Sequence, residues 1–259
     1  MNGREALAAV AAVAILAGCG AARPAPPAAP ATAAVPPTTI GPALKVSAAG
    51  GCPAGVASQL ARTGPARQLV TVVAAGWVTT AATLELWQRS GACWEPAGGP
   101  WPAVIGENGF SDHHVEGDGT TPTGMYGLGP VIYGNAPDPG VREPYHRLVC
   151  GDWWDEDPGS PAYNTFQHVP CDSQPPFGGG SEALWKETVP YPSFAVIDYN
   201  IPAVAKGAGS AIFLHADTGS PTNGCVSIPL AQLDQVLRWL DPRQAPEFVM
   251  GPAGEIDRF

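Results

Sequence analysis

The chain has 259 residues, 45% of them hydrophobic, and 13 Lys and Arg against 23 Asp and Glu give it a formal net charge of −10. That balance argues against nucleic acid and against an anionic membrane surface as partners, since both would repel it. The 32 Gly and 30 Pro are spread along the chain, which shortens regular elements and favours β structure with many turns.

Met1-Asn2-Gly3-Arg4-Glu5 precedes an almost wholly apolar run, Ala6–Ala17. The run is too short to span a bilayer and suits the core of a signal peptide over residues 1–18, although Glu5 offsets Arg4 in the charged region. It ends Leu16-Ala17-Gly18-Cys19, which resembles a bacterial lipobox. The resemblance implies cleavage before Cys19 and lipid on its sulfur. Ordinary secretion with cleavage nearby is the alternative, and both put the mature chain outside the cytoplasm. From Gly20 to Pro42 the chain is rich in Ala and Pro and cannot build a core. About twenty such residues at ~3.1 Å each would reach roughly 60 Å, so residues 19–44 read as a lipidated cysteine and a tether, or as a spacer without a length requirement. Residues 45–259 are enough for one well-buried domain or two small ones.

Within that part, β-rich runs stand at Gln68–Ala74, Thr83–Gln88, Met125–Ile132, Ser193–Tyr199 and Ser210–His215. One convincing helix follows Pro229, with Leu230, Leu233, Val236, Leu237 and Leu240 at helical spacing. A shorter one is expected over Ser181–Glu187. The fold class is therefore mainly β, two packed mixed sheets with one or two short helices. The first β runs are expected to pack with the rest, because strands over Gln68–Gln88 would be marginal alone.

The most informative stretch is Ala211–Leu240. The apolar run Ala211–Leu214 delivers His215, a loop rich in Gly, Ser, Pro, Thr and Asn follows, and the loop delivers Gly224-Cys225 into Val226–Ile228. Adjacent strands joined by this loop would bring His215 and Cys225 together although they are 10 positions apart. An imidazole can take a thiol proton and hold the thiolate as a nucleophile. Gly224 permits close backbone approach, and amides at Asn223, Gly224 and Cys225 are the candidate oxyanion hole. By itself a His/Cys pair also fits a buried cysteine and a satisfied histidine.

The stretch resembles the active-site motif of the L,D-transpeptidases of bacterial cell walls, the YkuD-type catalytic domain: a His, a variable loop, then often Ser-His-Gly-Cys. His215, Gly224 and Cys225 match, while Asn223 stands where many members have a second His, and the loop is short for the family. Glu116-Gly117-Asp118-Gly119-Thr120-Thr121-Pro122-Thr123-Gly124-Met125-Tyr126 resembles the family's acidic Gly-rich turn before a Thr-Pro-x-Gly strand. Glu116 and Asp118 read as turn residues near the site, with paired acid/base carboxylates or a calcium loop as alternatives. Asp155–Asn164 resembles a loop of a subgroup of these proteins, and Trp153 and Trp154 beside it serve either as anchors or as a stacking surface for a sugar ring.

Of the six cysteines, Cys19 is assigned to lipid and Cys225 to chemistry. The remaining four, Cys52, Cys93, Cys150 and Cys171, invite two disulfides in an oxidising compartment. Three connectivities are open, and the simplest joins sequence neighbours; a pairing that used Cys225 would remove the nucleophile. The five histidines show no metal spacing, and adjacent His113 and His114 cannot both face one site from a regular strand, so no metal is expected.

The resemblance implies a cofactor-free cysteine acyltransferase; with the lipobox, the expectation is a monomer anchored to the membrane through lipid on Cys19 and facing the wall. Its substrates would be peptidoglycan stem peptides, cross-linked by L,D-transpeptidation. A cysteine L,D-carboxypeptidase or hydrolase of wall peptides, and a non-catalytic wall-binding lipoprotein on the same fold, are the alternatives.

Overall fold

The structure is a computed structural model that describes residues 51–259; the apolar leader, Cys19 and the Ala/Pro tether lie outside the described residues. The chain is mainly β. In order the strands are β1 (Gln68–Ala74), β2 (Ala81–Ser90), β3 (Cys93–Val104), β4 (Phe110–Ser111), β5 (Thr121–Pro122), β6 (Gly124–Gly134) and β7 (Tyr145–Arg147). There follow β8 (Asp152–Asp155), β9 (Thr165–His168), β10 (Glu182–Ala183), β11 (Phe194–Ile197), β12 (Phe213–Ala216) and β13 (Val226–Ile228). The helix α1 (Leu230–Trp239) and β14 (Glu247–Pro252) complete the frame.

Nine strands form one mixed sheet in the order β11-β12-β13-β3-β2-β1-β14-β6-β7. Because β11 pairs with both β12 and β6, the sheet curls until its ends meet and its two halves face each other as packed layers. Alternating side chains of every long strand point into the shared space, among them Val70, Leu84, Ile132, Leu214, Val226 and Phe248. The strands β1, β2 and β3 are internal members of this sheet. Helix α1 lays Leu233, Val236 and Leu237 on the core, each aliphatic contributing roughly 1.5–3 kcal/mol by leaving water, while Leu230 stays half-exposed.

The sequence places β1 as found and shortens β2 by two residues at each end. It misses β3, whose three prolines and paired glycines argue against a strand; register shifts opposite Leu84–Trp87 in β2 absorb them. The helix expected over Ser181–Glu187 is instead β10 followed by a single 3-10 turn, Leu184–Lys186, because Glu182 and Ala183 pair with Trp154 and Trp153. Two disulfides, Cys52–Cys93 and Cys150–Cys171, join sequence neighbours at Cα separations of 5.1 and 5.4 Å. The second closes a loop carrying β8 and β9, beside a buried Asp152 that His146 and His168 approach at 2.8 and 2.7 Å.

Candidate active site

Strands β12 and β13 are adjacent and parallel, with Leu214 opposite Val226 and His215 opposite Ser227. Parallel neighbours usually need a crossover of a dozen or more residues. Here loop 217–225 suffices, because β12 is only four residues long and an extended loop easily runs back past it. The loop therefore returns to the start of β12, and Cys225 arrives beside Phe213 rather than directly across from His215. The offset is two residues, about 6–7 Å along the strand, and period two keeps both side chains on one face of the sheet.

Two backbone groups of the strand entry fix the sulfur. Ala211 has φ 53°, in the left-handed region that alanine seldom occupies, and its carbonyl accepts the Cys225 thiol at 3.1 Å. The Phe213 amide donates to the same sulfur at 3.4 Å. Asn164 supports the strained turn: its Oδ1 accepts from the Ala211 amide at 3.1 Å and from Trp154 Nε1 at 3.0 Å, and its Nδ2 donates to the Tyr199 and Asn200 carbonyls. Gly224 has φ 147°, and a Cβ there would lie 2.9 Å from the Thr120 carbonyl, so only glycine fits before the cysteine. The Gly224 carbonyl accepts from Thr121 Oγ1 at 2.8 Å, which ties the loop to β5.

His215 is 6% exposed and its Nδ1 lies 2.8 Å from the Ala216 carbonyl. A carbonyl only accepts, so Nδ1 carries the proton and Nε2 presents a lone pair. The Tyr191 ring meets the imidazole edge-on at 5.6 Å, and Tyr191 Oη donates to Glu182 Oε2 at 2.6 Å. Burial pushes the imidazole below its ordinary pKa, opposed by the Ala216 bond and the Asp217 charge. Burial pushes the Cys225 thiol well above its own, reinforced by Glu182 and Glu156 and opposed by the Phe213 amide. Burial thus favours the neutral thiol and neutral imidazole over a thiolate–imidazolium pair.

Cys225 lines two cavities. The smaller, about 200 Å³, is lined by His215, Tyr191 and Thr222. The larger, about 320 Å³, is lined by His114, Glu116, Glu156, Ser210 and Gly224. Cys225, Asn223 and Glu182 line both. No Lys or Arg lines the larger cavity, so its wall is acidic. Glu116 Oε2 accepts from Ser210 Oγ at 2.7 Å and from Tyr163 Oη. Glu156 Oε1 is buried without a hydrogen-bond partner, and burial together with the charges of Glu182 and Glu116 raises its pKa. Burial raises Glu182 too, opposed by the Tyr191 bond.

The family model of the L,D-transpeptidase catalytic domain, YkuD, matches residues 77–249. The chain belongs to this family. No curated protein and no solved structure matches it. In this YkuD domain Cys225 is the one free cysteine among the described residues, the other four being bridged. Of the three amides expected to face an oxyanion, that of Gly224 donates to Thr222 Oγ1 at 3.1 Å, which leaves those of Asn223 and Cys225 as candidates. Asp118 is a turn residue that accepts the Val115 and Thr120 amides, whereas Glu116 reaches the cavity wall. Trp154 is a core anchor and Trp153 packs edge-on against Phe177 and Trp185. Sequence reasoning missed His114, Glu156, Glu182 and Tyr191. The Asp155–Asn164 loop carried the only signal for any of them, through Glu156.

Proposed function

We propose that the protein is a peptidoglycan L,D-transpeptidase whose nucleophile is Cys225. The observation that carries the reading is a cysteine left free among bridged ones, on the same sheet face as a histidine whose Nδ1 proton is committed to the Ala216 carbonyl, and lining two cavities. In the first half-reaction His215 Nε2 takes the thiol proton as sulfur attacks the amide carbonyl before the terminal D-alanine of a tetrapeptide stem. A neutral pair suits this step, because the proton moves only as the C–S bond forms and no resting thiolate is needed. The oxyanion is stabilised by the amides of Asn223 and Cys225. His215 then protonates the departing D-alanine amine, leaving a thioester. A side-chain amine of a second stem resolves it and forms the cross-link; water as acceptor would make the same site a carboxypeptidase.

The two disulfides agree with an oxidising compartment, and we extend the reading to a signal peptide over residues 1–18 and a lipid anchor on Cys19. A wall-binding protein without turnover is the second reading, favoured by Asn223 standing where many members of the family have a second His. The test is incubation with a tetrapeptide stem, with and without an amine acceptor, followed by product analysis. Released D-alanine and an acceptor-dependent cross-linked product are expected. Free tripeptide regardless of acceptor would mean a hydrolase, and no released D-alanine would mean a binding protein.

A further inference from the structure

We propose that His114, held by Asp118, is a second acid–base group of this site and serves the amine that resolves the thioester. The inference rests on the reading of Cys225 as the acylated nucleophile. His114 is 6% exposed, with Nδ1 at 2.8 Å from Asp118 Oδ1 and 3.0 Å from Thr120 Oγ1. Asp118 is itself fixed by the amides of Val115 and Thr120 at 3.0 and 2.8 Å. These bonds outweigh burial and keep its carboxyl below the ordinary pKa, so Asp118 accepts and Nδ1 donates. Nε2 is left with its lone pair and makes no hydrogen bond among the described residues. Burial also lowers the pKa of this imidazole, opposed by Asp118 and Glu116, so it rests as a neutral base.

The position of the ring is fixed by two glycines. A Cβ on Gly209 would fall 2.4 Å from His114 Nε2, and one on Gly224 would fall 3.6 Å from Cε1. The ring therefore reaches the residue that precedes the nucleophile, on the side of the larger cavity, which His114 and Cys225 both line. His215 lines the smaller cavity instead. Each cavity offers one neutral imidazole with its Nδ1 proton committed, and Cys225 lines both. Acyl transfer needs two proton transfers, one at the departing amine and one at the incoming amine. Glu116, Glu156 and Glu182 line the larger cavity, and an ammonium-bearing acceptor entering it would favour their ionised forms. After that acceptor sheds one proton to solvent, its nitrogen attacks the thioester carbon, forming C–N and breaking C–S. The electron pair of C–S goes to sulfur, the proton displaced from nitrogen goes to His114 Nε2, and it passes on to the sulfur to restore the thiol.

A structural role is the competing account, since the ring also packs edge-on to Tyr199 at 5.3 Å. The deciding experiment is a single-turnover mass measurement on the full chain with a tetrapeptide stem and an amine acceptor, comparing wild type, His114→Gln and His114→Ala. Acylation within about threefold of wild type is expected, with transfer slowed by roughly 10²–10⁴-fold, so that the thioester accumulates. Added imidazole should restore part of the transfer rate in His114→Ala. Unchanged transfer, or acylation and transfer falling together, would overturn the inference. If the His114 variants do not fold, Asp118→Asn carries the test: at least tenfold slower transfer with unchanged acylation supports it, and equal transfer overturns it. A wild type that forms no thioester overturns the underlying reading and this inference with it. Wild type and variants that resolve the thioester equally fast overturn the inference alone.

Discussion

The two histidines beside Cys225 are held by different means. His215 sits on β12, its backbone locked in the parallel ladder with β13 and its ring packed on Tyr191. His114 sits on a turn whose shape depends on one carboxylate, Asp118, and on the steric allowance of Gly209 and Gly224. The glutamates of the larger cavity share that construction, lying on turns and on the two-residue strand β10. Ladder register fixes a strand-borne group almost regardless of its neighbours, whereas a loop-borne group is placed by individual hydrogen bonds. Substitutions on the strands should therefore change chemistry without moving the site, and substitutions in the loops should change both.

The largest effect is expected from Cys225→Ala, which should abolish acylation and leave the melting temperature nearly unchanged; residual acylation would point to another nucleophile. Next, His215→Gln should slow acylation by about 10²–10⁴-fold with the fold intact, on the scale of general-base losses. A fall in stability alongside it would mean that β12 depends on this side chain for its fold as well as for its chemistry. For the loop side, Asn164→Ala should cost about 1–3 kcal/mol, because it frees buried donors at Ala211 and Trp154, and acylation should slow as the Ala211 carbonyl releases the thiol. Denaturant unfolding and single-turnover acylation on one preparation check both halves.

Two smaller effects sharpen the electrostatics. Burial and Glu182 raise the thiol pKa, so alkylation should accelerate only above the ordinary thiol range of about 8.5, and Glu182→Gln should bring that onset to lower pH. Glu156 has a raised folded pKa, so the folded state binds more protons than the unfolded one between the ordinary carboxylate range and that raised value. Its contribution to stability is full below the unfolded pKa and is lost as pH rises through the folded one. Glu156→Gln should therefore stabilise the protein at pH 8 by on the order of 1 kcal/mol and flatten the fall in melting temperature from pH 5 to 8. A wild-type melting temperature that rises over that interval would remove the argument.

The strand-borne half of the site was legible in the sequence, because a run ending in His215 and another beginning after Gly224-Cys225 follow the period and turn chemistry of the backbone. Even there the parallel pairing, and with it the two-residue offset, was not: a short loop suggests a hairpin, and only the brevity of β12 makes the crossover possible. The loop-borne half was not legible. Glu182 lines the cavities that Cys225 lines because β10 pairs with β8 rather than continuing as a helix, and His114 lines the larger one because glycines 95 and 110 positions away clear its path. Such contacts depend on tertiary closure and leave no periodic trace. The strand β3 was hidden for a related reason, its prolines being tolerated through register shifts in its partner.

The most direct test is the intact mass of the full chain after incubation with a tetrapeptide stem, followed by mapping of the modified peptide. The account predicts a mass gain equal to the stem less one D-alanine, carried on Cys225 and absent from Cys225→Ala. An unmodified protein with free D-alanine in solution, or an adduct on any other residue, would contradict it.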